Sequence, residues 1–319
     1  MSSTFDRTRL QPVLADLARE AVFLGTSSWK YPGWRGQLYD EARYVYRGRF
    51  AETRFDRLCL SEYGEVFKTV SVDAAYYQFP TERYLEALAA QVPADFQFAF
   101  KVTDVITLKR YPNLPRFGPR AGEVNPDFLN ASLFASAFLQ PCARIRPQVG
   151  LLMFEFTRFQ ARDVARGRDF VEALDRFLSD LPRGWPYGVE IRNASFLQPE
   201  YFEVLARHQV AHVFNSWEAM PPIEEQMAMA GAFTSPTLAA ARFLLRPGRR
   251  YEEAVKQFSP YNRVQDPNPA GRTAGAQLIR AAKARKSRAF VFVNNRFEGN
   301  ALETIAAMIA EAAAIPATA

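Results

Sequence analysis

Eight short runs of β-forming residues alternate with eight helical patterns along almost the whole chain, and this alternation limits the fold more than any other feature. The runs are 21–26, 66–73, 96–101, 148–154, 187–192, 210–215, 238–245 and 289–294. Helix-like segments lie near 50–63, 82–91, 127–140, 164–180, 199–208, 223–230, 273–285 and 300–313. Strands separated by helices pair in parallel, because each helix returns the chain across one face of the sheet. With no Gly/Ser-rich linker dividing the repeats, the pattern predicts one α/β domain, a closed (β/α)8 TIM-barrel-like fold, rather than two doubly wound halves. A chain of 319 residues, 48% of them hydrophobic, can fill such a barrel and its outer layer.

The barrel is expected to span residues 21–315. Ahead of it, residues 1–20 place Leu10, Val13, Leu14 and Leu17 at helical spacing among charges. That spacing predicts an amphipathic helical extension and lacks the continuous apolar core of a secretion signal. No apolar run reaches ~18 residues, so no membrane partner is expected. Cys59 and Cys142 fall in separate helix-like segments and read as buried thiols of a reducing compartment, which makes a cytoplasmic location the expectation.

The long irregular stretches are unevenly distributed. Residues 27–49, 102–126, 216–236 and 246–272 each follow a strand and precede the next well-formed helix. In a (β/α)8 barrel every strand-to-helix loop lies at the C-terminal face, where ligand sites are built. The first of these stretches, within GTSSWKYPGWRGQLYD (25–40), carries Trp29, Tyr31, Trp34 and Tyr39 among glycines and a proline. It is expected to form the aromatic rim of a site, since large rings are costly to leave on a surface loop.

Alternation along each strand sorts side chains between the barrel axis and the helix layer. Phe96, Phe98 and Phe100 suit the helix side, which turns Ala99 and Lys101 inward. Val189 and Ile191 do the same for Glu190 and Arg192, and Val70 and Val72 for Ser71 and Asp73. Arg242 follows Ala240 inward, and Asn294 follows Phe290 and Phe292. The expectation is a polar ring of Asp73, Lys101, Glu190, Arg192, Arg242 and Asn294 near the C-terminal mouth, with Glu155 and Asn215 also at strand ends. Buried charges need partners, so this ring is either a functional floor or a closed plug of ion pairs.

Other signals are weaker. HQVAH (208–212) has the spacing of two zinc-binding histidines but lacks the adjoining glutamate and falls where a helix gives way to a strand; the chain has no other histidine. No metal ligand is therefore assigned, and no cofactor is evident, although Asp73, Glu155 and Glu190 could converge on a divalent cation. The net charge of +6 and the run RPGRR (246–250), after the seventh strand, suit a phosphate-bearing or other small anionic ligand. KARKSR (283–288) belongs to the opposite face and reads as a solvated helix end. No G-x-S-x-G, Walker or dinucleotide-binding motif is present.

Five ordered motifs are similar to one known family. They are GTSSWKYPGWRGQLYD, TVSVDAAYYQFP (69–80), FAFKVTDVITLKRYP (98–112), VEIRNASF (189–196) and FVNNRFEGNA (292–301). Over residues from about 20 to 310 the chain resembles the YecE-like family, the domain of unknown function numbered 72. The resemblance implies a TIM-barrel-like fold and brings no established activity with it. Trp29, Tyr31, Trp34, Tyr77, Lys101, Glu190, Arg192, Asn294 and Asn295 match the family's motifs. Ser71 and Asp73 stand where the family usually shows Glu and Asn, Glu155 where it shows Gln, and Leu108 and Asn300 where it shows His. After the seventh strand only Arg242 remains of the usual Arg-x-His-Gly.

Three functions fit these residues. The first is an enzyme of hydrolase or lyase type, metal-independent or using a carboxylate-held metal, acting on a small anionic or hydroxyl-rich substrate. Lys101, Glu190 and Asp73 would move protons, while Trp29, Tyr31, Trp34, Tyr77, Arg192, Arg242, Asn294 and Asn295 would bind. The second is a nucleic-acid-binding or repair-type protein, with loop aromatics stacking bases and arginines neutralising phosphates. The third is a ligand-binding scaffold without catalysis. The oligomeric state has no signature in the sequence.

Overall fold

The structure is a computed structural model that describes residues 5–314. Eight parallel strands close into a barrel: β1 Val22–Thr26, β2 Thr69–Val72, β3 Gln97–Lys101, β4 Val149–Phe156, β5 Tyr187–Ile191, β6 Ala211–Ser216, β7 Leu238–Phe243 and β8 Arg288–Val293. Consecutive strands are neighbours, and β8 closes on β1 from Val22↔Ala289 through Thr26↔Val293. The strands are buried along almost their whole length, which is why they read as near-continuous apolar runs.

Alternation divides them as expected. Facing the axis, Phe23, Ala99, Leu151, Met153, Ala211, Val213, Leu238, Ala240, Phe290 and Phe292 form one cluster. Val70, Val72, Phe98, Phe100, Val189, Ile191 and Phe243 join the larger core between strands and helices. One irregularity matters for the site. Phe98 pairs with Val149 but Ala99 pairs with Leu151, so Gly150 is an extra residue in β4. A Cβ on Gly150 would lie 2.5 Å from the Phe290 ring. Only glycine fits this bulge, and the reset alternation sends Leu151, Met153 and Glu155 inward.

The amphipathic extension is a helix, Arg7–Arg19, capped by the Asp6 carboxylate and burying Leu10, Leu14 and Leu17. Ala18 and Ala21 pack on the axial cluster, so this helix lies against the N-terminal mouth. The segment expected as a helix over 127–140 widens into a π-helical stretch, Phe134–Leu139. At the other mouth, the strand-to-helix segments carry extra structure. The first holds a two-stranded ribbon, Val45–Tyr46 with Arg49–Phe50. Short helices Ala74–Tyr77 and Asp104–Thr107 follow β2 and β3 directly. Cys59 and Cys142 are free and buried, and among the described residues no helix is long and apolar enough to cross a membrane.

Candidate functional site

The ends of β3, β4, β5 and β7 build a compact network of five charges. Glu155 is its hub: its Oε2 lies 3.0 Å from Lys101 Nζ, 2.8 Å from Arg192 Nη2 and 2.6 Å from Arg242 Nη1. Glu190, beside it in register on β5, accepts from Arg192 Nε at 3.0 Å and from Arg242 Nη1 at 2.7 Å. All five side chains are buried. Burial alone would raise the Glu155 carboxyl, but Arg192, Lys101 and Arg242 overcome it and hold the group well below the usual carboxylate range. Within these five, three cations face two carboxylates, with Asp73 a further carboxylate 4.0 Å from Arg242. Two carboxylates on adjacent strands would repel; the bridging arginines make that placement tolerable.

This geometry changes two expected roles. Glu190, expected to transfer protons, has both oxygens engaged by guanidiniums, so it positions Arg192 and Arg242 instead. Asp73, Glu155 and Glu190 do not form a metal cage either, because the space between Glu155 and Glu190 is filled by arginine side chains. Among the described residues no group of three potential ligands comes together. Asp73 stands apart, half-buried at the end of β2, with Arg242 Nη2 4.0 Å away and its own Oδ1 without a hydrogen-bond partner. Its position follows Val72, which pairs with Phe100, so Asp73 and Lys101 are neighbours at the ends of adjacent strands.

Aromatic side chains frame the floor, only some of them from the set the sequence singled out. The Lys101 ammonium sits over the ring of Tyr76 at 3.8 Å, and the Arg192 guanidinium over Trp217 at 3.8 Å. Tyr76 is held there by the short helix after β2, whose Ala75 carbonyl accepts from Thr103 Oγ1 at 2.7 Å. Its neighbour Tyr77 is exposed, under Arg116 at 5.0 Å, and Arg116 is paired with buried Asp104 at 2.6 Å. On the far side Arg296 lies over Tyr251 at 4.5 Å and makes no ion pair among the described residues. Tyr31 reaches the same area: burial pushes its hydroxyl up to about 12, with Arg296 and Asp73 the nearest charges acting on it. The phenol therefore remains a proton-bearing donor at neutral pH.

Trp29 and Trp34 are not a rim. Trp34 is fully buried, 4.7 Å from Tyr31 and 6.3 Å from Tyr39 between ring centroids, and Trp29 is also buried. The first loop packs on its own aromatics and is anchored by Glu62, which accepts from Tyr44 Oη, Asp40 N and Arg7 Nη1. It also docks on the loop after β7: a Cβ on Gly33 would lie 1.9 Å from the Pro260 carbonyl oxygen. These rings are packed into the core, and the exposed aromatic of the first loop is Tyr46, on the two-stranded ribbon.

The side-chain oxygens of Asn294 and Asn295 hold local backbone. The Asn294 side chain accepts from Arg296 N at 2.9 Å, and that of Asn295 from Ala301 N at 2.8 Å. Arg246 and Arg249 of the RPGRR run share Asp266 and Arg250 pairs with Glu253, so its three arginines meet two carboxylates. The two histidines separate: His208 bonds Asp175 at 2.6 Å, while His212 is buried with its Nδ1 3.1 Å from Tyr201 Oη. Sequence reasoning missed Tyr76, Trp217, Tyr251 and Arg296, and gave Glu155 only a metal-ligand role. Arg296 lies inside FVNNRFEGNA and Tyr76 inside TVSVDAAYYQFP, so both were within reach of those motifs.

Comparisons with known proteins agree with this architecture. A family model described as "Protein of unknown function DUF72" matches residues 23–318. A DUF72 family protein from Enterococcus faecalis V583 superposes with a TM-score of 0.59 at 18% identity, covering 92% of this chain and 95% of that one. A DUF72 family protein from Thermotoga maritima MSB8 gives a TM-score of 0.54 at 18% identity, covering 90% and 96%. At these identities the likeness speaks for the fold. No curated protein matches the chain.

Proposed function

The chain belongs to the DUF72 family, whose description carries no activity, and from the residues at its C-terminal mouth we propose that it binds a small, hydroxyl-bearing anion there and moves a proton on it. The observation that carries this reading is that buried polar atoms at this mouth are left without partners, among them Asp73 Oδ1, Arg242 Nε and Arg296 Nε. Two are guanidinium donors and one is a carboxylate acceptor, which suits a ligand bearing both an anionic group and a hydroxyl. Unpartnered buried donors cost roughly 1–3 kcal/mol each, so a ligand that satisfies them gains what the free protein lacks.

In this reading Arg296 and Arg242 hold the anionic group, with Arg192 fixed on Trp217 behind them. Asp73, whose nearest cation among the described residues is Arg242 at 4.0 Å, takes the proton. Lys101, held between Glu155 and Tyr76 at the end of the adjacent strand, returns one to the substrate. This is acid–base chemistry of the hydrolase or lyase kind, in which Lys101 and Asp73 are kept from the three expected proton carriers and Glu190 is not. The nucleic-acid reading has less support, because Trp34 is buried and Arg246 and Arg249 are tied to Asp266.

The test is a calorimetric titration of the full chain with hydroxyl-bearing phosphates and carboxylates, glycerol 3-phosphate first. Losing one charge-assisted contact in Arg296→Gln should weaken the bound anion roughly tenfold or more. Asp73→Asn should retain binding and abolish turnover of whichever compound reacts. Unchanged binding in Arg296→Gln would overturn the assignment of the anion site; undiminished turnover in Asp73→Asn would overturn the proton transfer.

A further inference from the structure

A second cavity lies at the opposite end of the barrel. A space of about 570 Å³ opens at the N-terminal ends of β5, β6 and β7, against about 270 Å³ for the cavity between the loops after β6 and β7. That volume suits a small organic ligand. Its basic lining residues are Arg183, Arg207, His208 and Arg288, with no aspartate or glutamate in the lining. Arg207 and His208 share Asp175, at 2.7 and 2.6 Å. Arg183 is exposed and makes no ion pair among the described residues.

Arg288 is the unusual member. It opens β8 in phase with Phe290 and Phe292, so its side chain turns toward the axis. Its guanidinium donates to the Gln97 amide oxygen at 2.8 Å and lies 5.4 Å from the Phe290 ring, with no carboxylate at ion-pair distance among the described residues. At the C-terminal mouth Lys101, Arg192 and Arg242 each meet a carboxylate; here a half-buried cation has only an amide and a ring. Burial lowers the Arg288 pKa, as expected of a cation kept from water without a counter-charge. The helices Gly167–Asp180 and Pro199–Arg207 end at this face, and helix C-termini favour cations. Any anion held here depends on the arginine side chains alone.

We propose that this cavity is a second ligand site, in which Arg288 and Arg183 bind the oxyanion of a small molecule whose apolar body lies against Trp185 and Leu238. A phosphate monoester on an aromatic or aliphatic body fits both halves. The fork of Arg288 offers N–H donors beyond the one given to Gln97, and guanidinium geometry matches phosphate oxygens.

Isothermal titration of the full chain with inorganic phosphate and with phenyl phosphate tests this. Phenyl phosphate should bind more tightly than phosphate, because only it reaches the apolar wall. Arg288→Gln should weaken phenyl phosphate at least tenfold, and Arg183→Gln, at an exposed position that folding does not require, about threefold. Arg296→Gln, at the other mouth, should leave this binding unchanged. Equal binding by wild type and Arg183→Gln together with Arg288→Gln would overturn the proposal, as would loss of the signal in Arg296→Gln. If Arg288→Gln melts far below wild type, the Arg183→Gln titration decides alone.

Discussion

Removing one charge from the five-membered floor should hurt in proportion to the charge imbalance it leaves, not to the number of hydrogen bonds it breaks. In Glu155→Gln, Lys101, Arg192 and Arg242 are deprived of their common carboxylate; Arg192 and Arg242 keep Glu190, and Lys101 is left with no ion pair among the described residues. Breaking a buried ion pair from one side costs about 3–5 kcal/mol. Thermal midpoints move a few degrees per kcal/mol in chains of this size, so a fall of roughly 6–15 °C is expected. In Arg242→Met the two carboxylates keep Lys101 and Arg192, an even balance, and the destabilisation should be the smaller of the two. Combining both changes restores the original single excess positive charge. The double variant should therefore be more stable than the sum of the single effects predicts, by about 0.5–3 kcal/mol of coupling. Circular-dichroism melts of the four proteins measure this directly. Additive effects, or a Glu155→Gln protein as stable as Arg242→Met, would refute the claim that the floor acts as one charge-coupled unit. Acid should act in the same direction. Because the Glu155 carboxyl is held below its unfolded value, its contribution is present above about pH 4.5 and lost as pH falls further. Glu155→Gln should lack that part of the acid sensitivity.

Two further outcomes follow from other parts of the molecule. Burial pushes His212 down to about 3 from 6.5, so below pH 6.5 the unfolded chain takes a proton that the folded one refuses. Stability should fall by about 1.4 kcal/mol per pH unit on that account, and urea unfolding at pH 7, 6 and 5 should show a flatter dependence for His212→Gln; parallel curves would contradict it. Gly33→Ala would drive a methyl group into the Pro260 carbonyl and should separate the first loop from the loop after β7, costing about 1–3 kcal/mol. Faster proteolysis within 27–49 and 246–272 would report it; an unchanged digestion pattern would show that the two loops are not held together there.

The barrel was legible because parallel strands buried on both faces leave continuous apolar runs, and because parity along β2, β3, β5, β7 and β8 is regular. The inward turn of Lys101, Glu190, Arg192 and Arg242 was readable for the same reason. Glu155 was not securely placed, since a bulge at Gly150 shifts the alternation in β4 by one residue and no local pattern announces it. The first loop misled in another way. Aromatic content marks a loop as ordered, but whether its rings face ligand or pack inward depends on contacts far along the chain, here Pro260 and Tyr261. Buried carboxylates show the same limit: Glu62 and Glu298 look like ordinary surface acids in the sequence. In the fold, Glu62 gathers Arg7, Asp40 and Tyr44, and Glu298 gathers Asn268, Arg272 and Thr304. Tyr76 and Arg296 depend on short turns after β2 and β8 that reorient side chains just beyond the strands.

A crystal structure of the full chain soaked with glycerol 3-phosphate tests the central claim most directly. Phosphate density is expected against Arg296 and Arg242 and a hydroxyl within hydrogen-bond reach of Asp73, with the ion pairs of Glu155 and Glu190 intact beneath. Phosphate bound only elsewhere, with Asp73 and Arg296 untouched, would contradict it.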